Sequence, residues 1–199
     1  MNDQTYGYGH PFNYADKPVA KYVELFVELA NDLPTGLSVT DLFAGVGTLA
    51  NALRPVLAPK QWIGVELDWD CVMEFRKNCP WAECLWGNAF DVTDFSELVI
   101  IDPHKGTLNA IAKELTWINL FESIAESNKV KYILMQEYGA YWCHLPNQKP
   151  LYEKLCGEPV DKKNYRDKFT HYMEKQYGFK VIAHTMGLGS CYYLMETEP

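Results

Sequence analysis

Apolar residues recur along the chain in two spacings, one typical of strands and the other of helices. Five short apolar runs have strand character and lie at residues 38–43, 62–65, 83–86, 98–101 and 132–136. Segments with helical spacing separate them, and the strongest of these covers 107–128. Because apolar strands that alternate with helices are typical of a parallel sheet covered on both faces, the pattern predicts an α/β fold with helices on both faces of the sheet.

The two ends of the chain add further elements. A predicted helix that begins near Asp16 ends at the LPTG break, so residues 1–36 form an N-terminal helical segment. Residues 139–163 contain three prolines and no sustained period, which indicates a loop insertion. A helix follows at 164–177 and stops at Gly178, and two strands joined by MGLG come last. We therefore predict that all 199 residues form one domain on a doubly wound, mostly parallel seven-stranded sheet with a C-terminal antiparallel strand.

The composition excludes some classes of protein. No apolar run approaches the roughly 20 residues that a membrane-spanning helix needs, and the start MNDQTYGYGH lacks the basic and apolar regions of a signal peptide. We therefore expect a cytoplasmic protein that has no membrane partner. The six cysteines show neither a C-x-x-C pair nor a ligand spacing with histidine, so we expect no metal site and no disulfide framework.

The net charge of −8 argues against broad attraction to nucleic acid, since neutralising phosphates needs clustered Lys and Arg. The charge is uneven, however, because residues 145–180 carry eight Lys and Arg against five Asp and Glu. This excess of positive charge is either a modest basic patch or a solvated helix face, and both interpretations stay open.

The stretch VTDLFAGVGTLANAL at 39–53 passes from a strand pattern into a helix pattern. In a parallel sheet, ligands bind beyond the carboxyl ends of the strands, where this first turn lies. Gly45 and Gly47 remove side chains where a ligand approaches the main chain, and free N–H groups begin the helix. Glu66 ends the next apolar run, 21 residues after Gly45, and can accept hydrogen bonds from both hydroxyls of a ribose. The alternative is a tight turn that needs glycine only for its own backbone angles.

A nicotinamide-dependent dehydrogenase is a second interpretation of this turn. The pattern Gly45-x-Gly47-x-x-Ala50 satisfies the relaxed dinucleotide fingerprint. Two features count against it. Asp41, immediately before the turn, puts a negative charge where a pyrophosphate would be repelled and a cationic ligand would not. The chain also ends in the strand, loop and strand pattern described above.

Taken together, these motifs resemble those of class I S-adenosylmethionine-dependent methyltransferases. The resemblance extends as an order of elements from Asp16 to the C-terminus, and the motif matches run from Val39 to His104. It implies a Rossmann-like methyltransferase that uses S-adenosyl-L-methionine as its cofactor. The cofactor-binding residues that it implies are Asp41, Phe43, Ala44, Gly45, Gly47, Glu66, Leu67, Asn88, Ala89 and Phe90.

The resemblance also gives these residues roles. DLFAGVGTLA resembles the cofactor loop, with Asp41 near the methionine ammonium. In VELD, Glu66 is the ribose acid and Leu67 packs on the adenine. In WGNAFD, Asn88 stands where the family has an acid that accepts from the adenine amino group, and its amide can substitute for that acid. Asp91 is a second candidate for this contact.

IIDPHKG resembles the catalytic motif of amino-methylating nucleic-acid enzymes, in which Asp or Asn is followed by Pro-Pro and an aromatic residue. In that family the acid or amide orients an exocyclic amine and the ring stacks on an extruded base. Asp102 and Pro103 fit the motif, whereas His104 and Lys105 depart from it. His104 is a third candidate catalytic residue that would stack or act as a general base, or it is an ordinary loop histidine.

The cofactor half also resembles cytosine-C5 DNA methyltransferases, at DLFAG and VELDWD. Their nucleophile is a cysteine in a Pro-Cys motif after the fourth strand, where this chain has Asp102, Pro103 and His104. Without a thiolate there, we do not expect attack on a ring carbon.

The resemblance predicts methyl transfer to a nitrogen, with a nucleic-acid base of RNA or DNA as the expected acceptor. Small-molecule or protein methylation is the alternative, as is a partner subunit that binds the cofactor without catalysis. In small relatives, the segment before the first helix covers the bound cofactor. GHPFNYADKP is positioned for this, with Phe12, Asn13 and Tyr14 as contacts, and a disordered tail is the competing interpretation.

Overall fold

The computed structural model describes residues 21–103, 116–137, 153, 159, 161, 164–187 and 190–197. The helices are α1 (Lys21–Ala30), α2 (Thr48–Leu57), α3 (Trp69–Asn78), α4 (Thr116–Ala125) and α5 (Tyr165–Tyr177). The strands are β1 (Ser38–Leu42), β2 (Gln61–Glu66), β3 (Glu83–Trp86), β4 (Leu98–Ile101), β5 (Tyr132–Glu137), β6 (Phe179–Gly187) and β7 (Ser190–Thr197). All five apolar runs of the sequence are therefore strands, as predicted.

The seven strands form one sheet in the order β3-β2-β1-β4-β5-β7-β6. The first five strands run parallel to one another, and β1 lies between β2 and β4. β7 lies antiparallel between β5 and β6, and Gly187 faces Ser190 where the last two strands meet. The predicted mostly parallel sheet with a C-terminal antiparallel strand is confirmed. Its strand order reverses between β1 and β4, which is where ligands bind in sheets of this kind.

The sheet has an apolar core on each face, because successive side chains of a strand point to opposite sides. In β4, Leu98 and Ile100 pack with α1, α2 and α3, whereas Val99 and Ile101 pack with α4 and α5. All four side chains are fully buried. This burial on both sides explains why β4 reads as an uninterrupted apolar run, and the predicted doubly wound arrangement is confirmed.

The helix predicted over 107–128 is present as α4 in its described part. Its buried side chains recur at one-turn spacing and are Trp117, Leu120, Phe121 and Ile124. The predicted C-terminal boundary is wrong, because α4 ends at Ala125 and a turn follows. Ser127 and Asn128 lie in this turn, and both residue types compete with helical hydrogen bonding. Residues 107–115 lie outside the described residues.

The remaining predicted elements agree with the structure where it describes them. α5 confirms the helix predicted over 164–177, and Gly178 ends it with a φ of 70° and an N–H that donates to the Glu174 carbonyl at 2.9 Å. The helix start at Asp16 and most of the 139–163 insertion lie outside the described residues, and the single domain stays a prediction. Among the helices that the structure describes, none combines the length and apolarity that crossing a membrane requires.

Glu97, just before β4, joins three elements at the amino ends of the central strands. Its carboxylate accepts hydrogen bonds from the backbone N–H and the hydroxyl of Ser38, at 3.1 and 3.2 Å. It also pairs with Lys60 at 2.6 Å and with Lys131 at 2.8 Å. The ammonium groups of Lys131 and Lys60 and the Ser38 N–H hold the pKa of Glu97 well below its usual range. This cluster therefore joins the amino ends of the central strands, which lie opposite the ligand-binding end of the sheet.

We predict that Glu97→Gln lowers the free energy of unfolding at pH 7 and that this deficit shrinks as the pH falls. Because the pKa of Glu97 is lowered in the folded protein, its contribution is present above the usual carboxyl pKa and is lost as the pH falls through the lowered value. Urea unfolding at about pH 7 and about pH 3 measures the difference. Glu83→Gln, at an exposed position on β3, is the matched control. A deficit of the same size at both pH values would contradict this assignment.

Candidate functional site

The turn from Phe43 to Gly47 joins β1 to α2 at the carboxyl end of the sheet. Three of its residues have positive φ, which is 65° at Phe43, 54° at Gly45 and 83° at Gly47. The N–H of Ala44 donates to the carbonyl of Val65 in the neighbouring strand β2 at 3.1 Å. The turn is thus bent tightly over the end of β2, beside the point where the strand order reverses.

The two glycines of this turn serve different purposes. A Cβ at Gly47 would lie 2.5 Å from the Sγ of Cys79 and 3.1 Å from the ring of Phe75, so packing against α3 requires glycine there. A Cβ at Gly45 would meet no atom within 4 Å. Backbone conformation favours glycine at both positions, which supports the tight-turn interpretation, but Gly45 also leaves open space beside its main chain. A ligand can approach the backbone at Gly45 and not at Gly47.

Glu66, the last residue of β2, lies beside this open space. Its Oε2 accepts the N–H of Gly45 at 2.9 Å, and its Oε1 accepts the N–H of Asp68 at 2.9 Å. A carboxylate offers about four lone-pair sites, so each oxygen keeps one acceptor site after these bonds. The partly exposed carboxylate is therefore fixed in orientation and can still accept one hydrogen bond on each oxygen. Two adjacent hydroxyls of a ribose match this requirement.

Two further predicted residues lie near the carboxyl end of β2. Leu67 is 57% exposed, so its side chain is available to cover a flat apolar group. Gly87, after β3, donates its N–H to the Glu66 carbonyl at 3.0 Å and brings the next loop to the same end of the sheet. In that loop, the Asn88 side-chain oxygen accepts the N–H of Phe90 at 3.2 Å, and its amide donates to Asp91 at 3.3 Å. The two candidates for the adenine contact thus form one hydrogen-bonded unit.

The aromatic predicted residues pack together rather than standing free. Phe43 and Phe90 contact each other edge to face, with ring centroids 5.3 Å apart. Trp117 of α4 contacts both rings, at 5.9 and 5.2 Å, and Ala89 lies buried in the same core. This cluster ties the loops after β1 and β3 to α4. Sequence reasoning missed Trp117, because an apolar residue within a predicted helix gives no sign of this contact.

Asp41 lies deeper than the sequence suggests. Its side chain is only 1% exposed, and its carboxylate accepts the indole N–H of Trp62 at 3.3 Å. Burial raises the pKa of Asp41 well above its usual value, and the charge of Asp102 raises it further. Contact between Asp41 and a ligand ammonium stays a prediction. Trp62 was not identified from the sequence, because it reads simply as the apolar start of β2.

Asp102 and Pro103 follow β4, next to the end of β1. Burial raises the pKa of the Asp102 carboxyl to about 7, although part of its surface remains accessible, and Pro103 is buried. On the adjoining strands, the fully buried Tyr192 accepts a hydrogen bond from the Gln136 amide at 2.9 Å. Burial raises the pKa of Tyr192, and the charge of Asp102 raises it further, which places this pair within electrostatic reach of Asp102. Sequence reasoning missed both members of the pair.

Some predicted contacts lie outside the described residues, namely His104 and the N-terminal candidates Phe12, Asn13 and Tyr14. Where the structure is described, no group of three or more His, Cys, Asp or Glu side chains is arranged to hold a metal ion. The described site thus combines a fixed carboxylate acceptor, an open glycine turn and two buried carboxyl groups with raised pKa values. Such an arrangement can bind a ribose and favours a neighbouring cation over an anion.

No protein-family model and no curated protein matches the chain, but solved structures resemble it. An RNA methyltransferase from Salinibacter ruber, solved with S-adenosyl-L-homocysteine, is 17% identical with a TM-score of 0.51, over 90% of this chain and 93% of that chain. A Pyrococcus horikoshii protein assigned as an RNA methyltransferase is 16% identical with a TM-score of 0.60, over 89% and 84%. The N-methyltransferase NodS from Bradyrhizobium japonicum is 5% identical with a TM-score of 0.63, over 92% and 99%. The chain therefore has the class I S-adenosylmethionine-dependent methyltransferase fold that its motifs implied.

We predict that alanine at the two glycines of the turn has unequal effects on stability. Gly47→Ala should lower the free energy of unfolding by roughly 2–4 kcal/mol, because it adds a clash with Cys79 to the strain of a positive φ. Gly45→Ala should cost only about 1 kcal/mol, since the new methyl group meets nothing. Gly36→Ala is the matched control, because Gly36 also has positive φ and open space but lies at the opposite end of β1. Chemical denaturation of the three variants measures the costs, and equal costs at 45 and 47 would contradict this account.

Proposed function

We propose that this chain is an S-adenosylmethionine-dependent methyltransferase that acts on a nitrogen of a nucleic-acid base. The observation that carries the proposal is the geometry of Glu66. Backbone N–H groups of Gly45 and Asp68 fix its two oxygens at 2.9 Å each, and one acceptor site remains on each oxygen beside the open space at Gly45. The cofactor's ribose has two vicinal hydroxyls that satisfy both sites.

The charges near the turn favour a cationic nucleoside over a dinucleotide. Asp41 in β1 lies opposite Ile100 of β4, and Asp102 comes two residues after Ile100. Burial opposes the ionisation of both carboxyl groups. A pyrophosphate placed beside them would raise both pKa values further and bind poorly. A sulfonium and an ammonium group would instead stabilise the ionised carboxylates, so cofactor binding is coupled to proton release. This argument separates the proposed cofactor from nicotinamide dinucleotides.

The solved structures support the same class of reaction. Of the proteins that resemble this chain, one is an RNA methyltransferase solved with S-adenosyl-L-homocysteine, and another is named an N-methyltransferase. Their shared fold supports the use of S-adenosylmethionine here, but their names do not agree on a methyl acceptor. The nitrogen acceptor is inferred from the Asp102-Pro103 motif, which resembles the catalytic motif of enzymes that methylate exocyclic amines.

In the proposed mechanism the protein mainly positions the cofactor and the acceptor amine relative to each other. Bound S-adenosylmethionine would supply an electrophilic methyl group, with its sulfur as the leaving group. Glu66 holds the ribose, Leu67 covers the adenine, and the Asn88–Asp91 unit accepts from its amino group. Asp102 would accept a hydrogen bond from the acceptor amine and orient the nitrogen lone pair toward the methyl group. Once the carbon–nitrogen bond had formed, the methylated nitrogen would lose one proton to the Asp102 carboxylate.

Two other functions remain as outcomes of the tests. The net charge of −8 and the histidine and lysine after Pro103 favour a small-molecule or protein acceptor over a nucleic acid. The departures from the family pattern at Asn88, His104 and Lys105 favour a subunit that binds the cofactor without catalysis.

We predict that Glu66→Gln weakens binding of S-adenosylmethionine and S-adenosylhomocysteine at least about tenfold, equivalent to about 1.4 kcal/mol. A glutamine has only one oxygen acceptor, so it cannot satisfy both hydroxyls and both backbone donors at once. Isothermal titration calorimetry measures the affinities, with Glu83→Gln as the matched carboxylate control outside the site. The proposal fails if the wild-type chain binds neither compound at about millimolar concentration, or if it binds a nicotinamide dinucleotide instead.

We predict that kcat/KM for S-adenosylmethionine rises with pH through about 7 and then levels off, because this ratio follows the cofactor-free protein, in which the ionised Asp102 is the better hydrogen-bond acceptor for the amine. Asp102→Asn should lower the rate and remove this rise, and Asp102→Ala should lower the rate at least about 100-fold while cofactor affinity falls by less than about tenfold. Transfer of tritiated methyl groups to total RNA, DNA, a protein extract and a metabolite extract measures the rate and the acceptor class. Labelled metabolite or protein alone would reject the nucleic-acid acceptor, and no label with intact cofactor binding would favour the non-catalytic subunit.

A further inference from the structure

A buried tyrosine hydroxyl lies near the candidate catalytic residue Asp102. Tyr192 of β7 is fully buried, and among the described residues its hydroxyl makes one hydrogen bond, accepted from the Gln136 amide at 2.9 Å. Because the hydroxyl oxygen is the acceptor in this bond, the hydroxyl hydrogen is left for a different acceptor. Buried donors in native proteins are rarely left without an acceptor. We therefore expect an acceptor for the Tyr192 hydrogen at this end of the sheet.

The strand register places Asp102 beside this pair. Ile101 pairs with Met135 in the parallel ladder of β4 and β5. Asp102 and Gln136 are the next residues along the chain, so they come side by side at the carboxyl end of the sheet. Gln136 in turn pairs with Tyr192 in the antiparallel ladder of β5 and β7. Asp102, Gln136 and Tyr192 thus form one row across three neighbouring segments of the sheet.

The Tyr192 ring and the Asp102 carboxyl lie on the same face of the sheet. Ile100, two residues before Asp102, packs in one core with Tyr192 and with α1. Side chains two positions apart in an extended segment point to the same side. Phe26 of α1 contacts the Tyr192 ring edge to face, with ring centroids 5.3 Å apart. Burial raises the pKa of Tyr192 and the charge of Asp102 raises it further, which agrees with a carboxyl close to the hydroxyl.

The other ionisable groups on this face do not stabilise an ionised Asp102. Asp41 of β1 is the second buried carboxyl there, and it accepts the Trp62 indole N–H at 3.3 Å. Burial raises the pKa of Asp41, and the charges of Asp102 and Glu66 raise it further. The charged residues of the covering helices α1 and α2 are exposed, namely Lys21, Glu24, Glu28 and Arg54. Burial raises the pKa of Asp102 to about 7, and the neutral Tyr192 hydroxyl is a donor that can favour its ionised form.

We propose that Tyr192 is a positioning residue for Asp102: its hydroxyl, held by the Gln136 amide, donates to one carboxylate oxygen. The second oxygen then remains for the acceptor amine, so the carboxylate is fixed in the orientation that methyl transfer requires. Such hydrogen bonds are often long in a ligand-free protein and shorten when the reacting groups are bound. A catalytic group that is oriented by a third residue is a common arrangement in enzyme sites. The role of the amine rests on the proposed function, whereas the contact between Tyr192 and Asp102 does not.

The titration of Asp102 in the cofactor-free, full-length chain tests this contact. Carbon-13 NMR of labelled aspartate carboxyl groups measures its midpoint, and the Asp102 signal is the one that is absent from Asp102→Asn. Tyr192→Phe keeps the ring against Phe26 and removes only the hydroxyl. Because the ionised carboxylate loses a donor, the midpoint should rise by about one pH unit. The same shift should lower kcat/KM about tenfold at about pH 6 and leave it nearly unchanged at about pH 9, whereas a purely structural defect would lower it equally at both.

Two further variants make the result specific. Tyr193→Phe is the matched control, because Tyr193 is equally buried but packs against Phe169 on the opposite face, and it should leave the midpoint unchanged. Fluorotyrosine in place of Tyr192 is a stronger donor, so it should lower the midpoint, and it gives a result even if Tyr192→Phe unfolds. The proposal is overturned if either change at position 192 leaves the midpoint of a folded chain unchanged, or if Tyr193→Phe moves it as far. A shifted midpoint without methyl transfer would reject the proposed function and retain this contact.

Discussion

The carboxylate of Glu66 holds together the ligand-binding end of this fold. It ends β2, and it accepts the N–H of Gly45 from the turn after β1 and the N–H of Asp68 at the start of α3. Three elements are thus fixed by one side chain, and the turn keeps the positive φ values that leave space beside Gly45. Because the same two oxygens retain acceptor sites, the carboxylate that organises the turn also offers two hydrogen-bond acceptors to a ligand beside Gly45.

Burial of two carboxyl groups next to this turn would favour a cation over an anion at the proposed site. Asp41 and Asp102 both have raised pKa values, and the indole N–H of Trp62 favours the ionised form of Asp41. A bound cation would release protons from this pair, whereas an anion would meet repulsion. The chain's net charge of −8 adds a second constraint, since a nucleic-acid acceptor needs positive charge nearby.

Much of this architecture was predictable, and the failures have identifiable causes. The strand at 98–101 agrees with prediction because continuous burial makes it an uninterrupted apolar run. The predicted end of the fourth helix is wrong because apolar spacing is a weak guide to where Ser127 and Asn128 begin a turn. Gly45 and Gly47 look equivalent in the motif, yet only Gly47 is packed against Cys79 and Phe75.

The sequence by itself determined the order of strands and helices and the position of the glycine turn, because side-chain periodicity and turn chemistry are local properties. Only the tertiary structure decided that Trp62 pairs with Asp41, that Trp117 packs on Phe43, and that Gln136 bonds to Tyr192. These contacts join residues that are 21 or more positions apart. They depend on the order and register of the strands, which place distant side chains on the same face of the sheet and which no local pattern encodes.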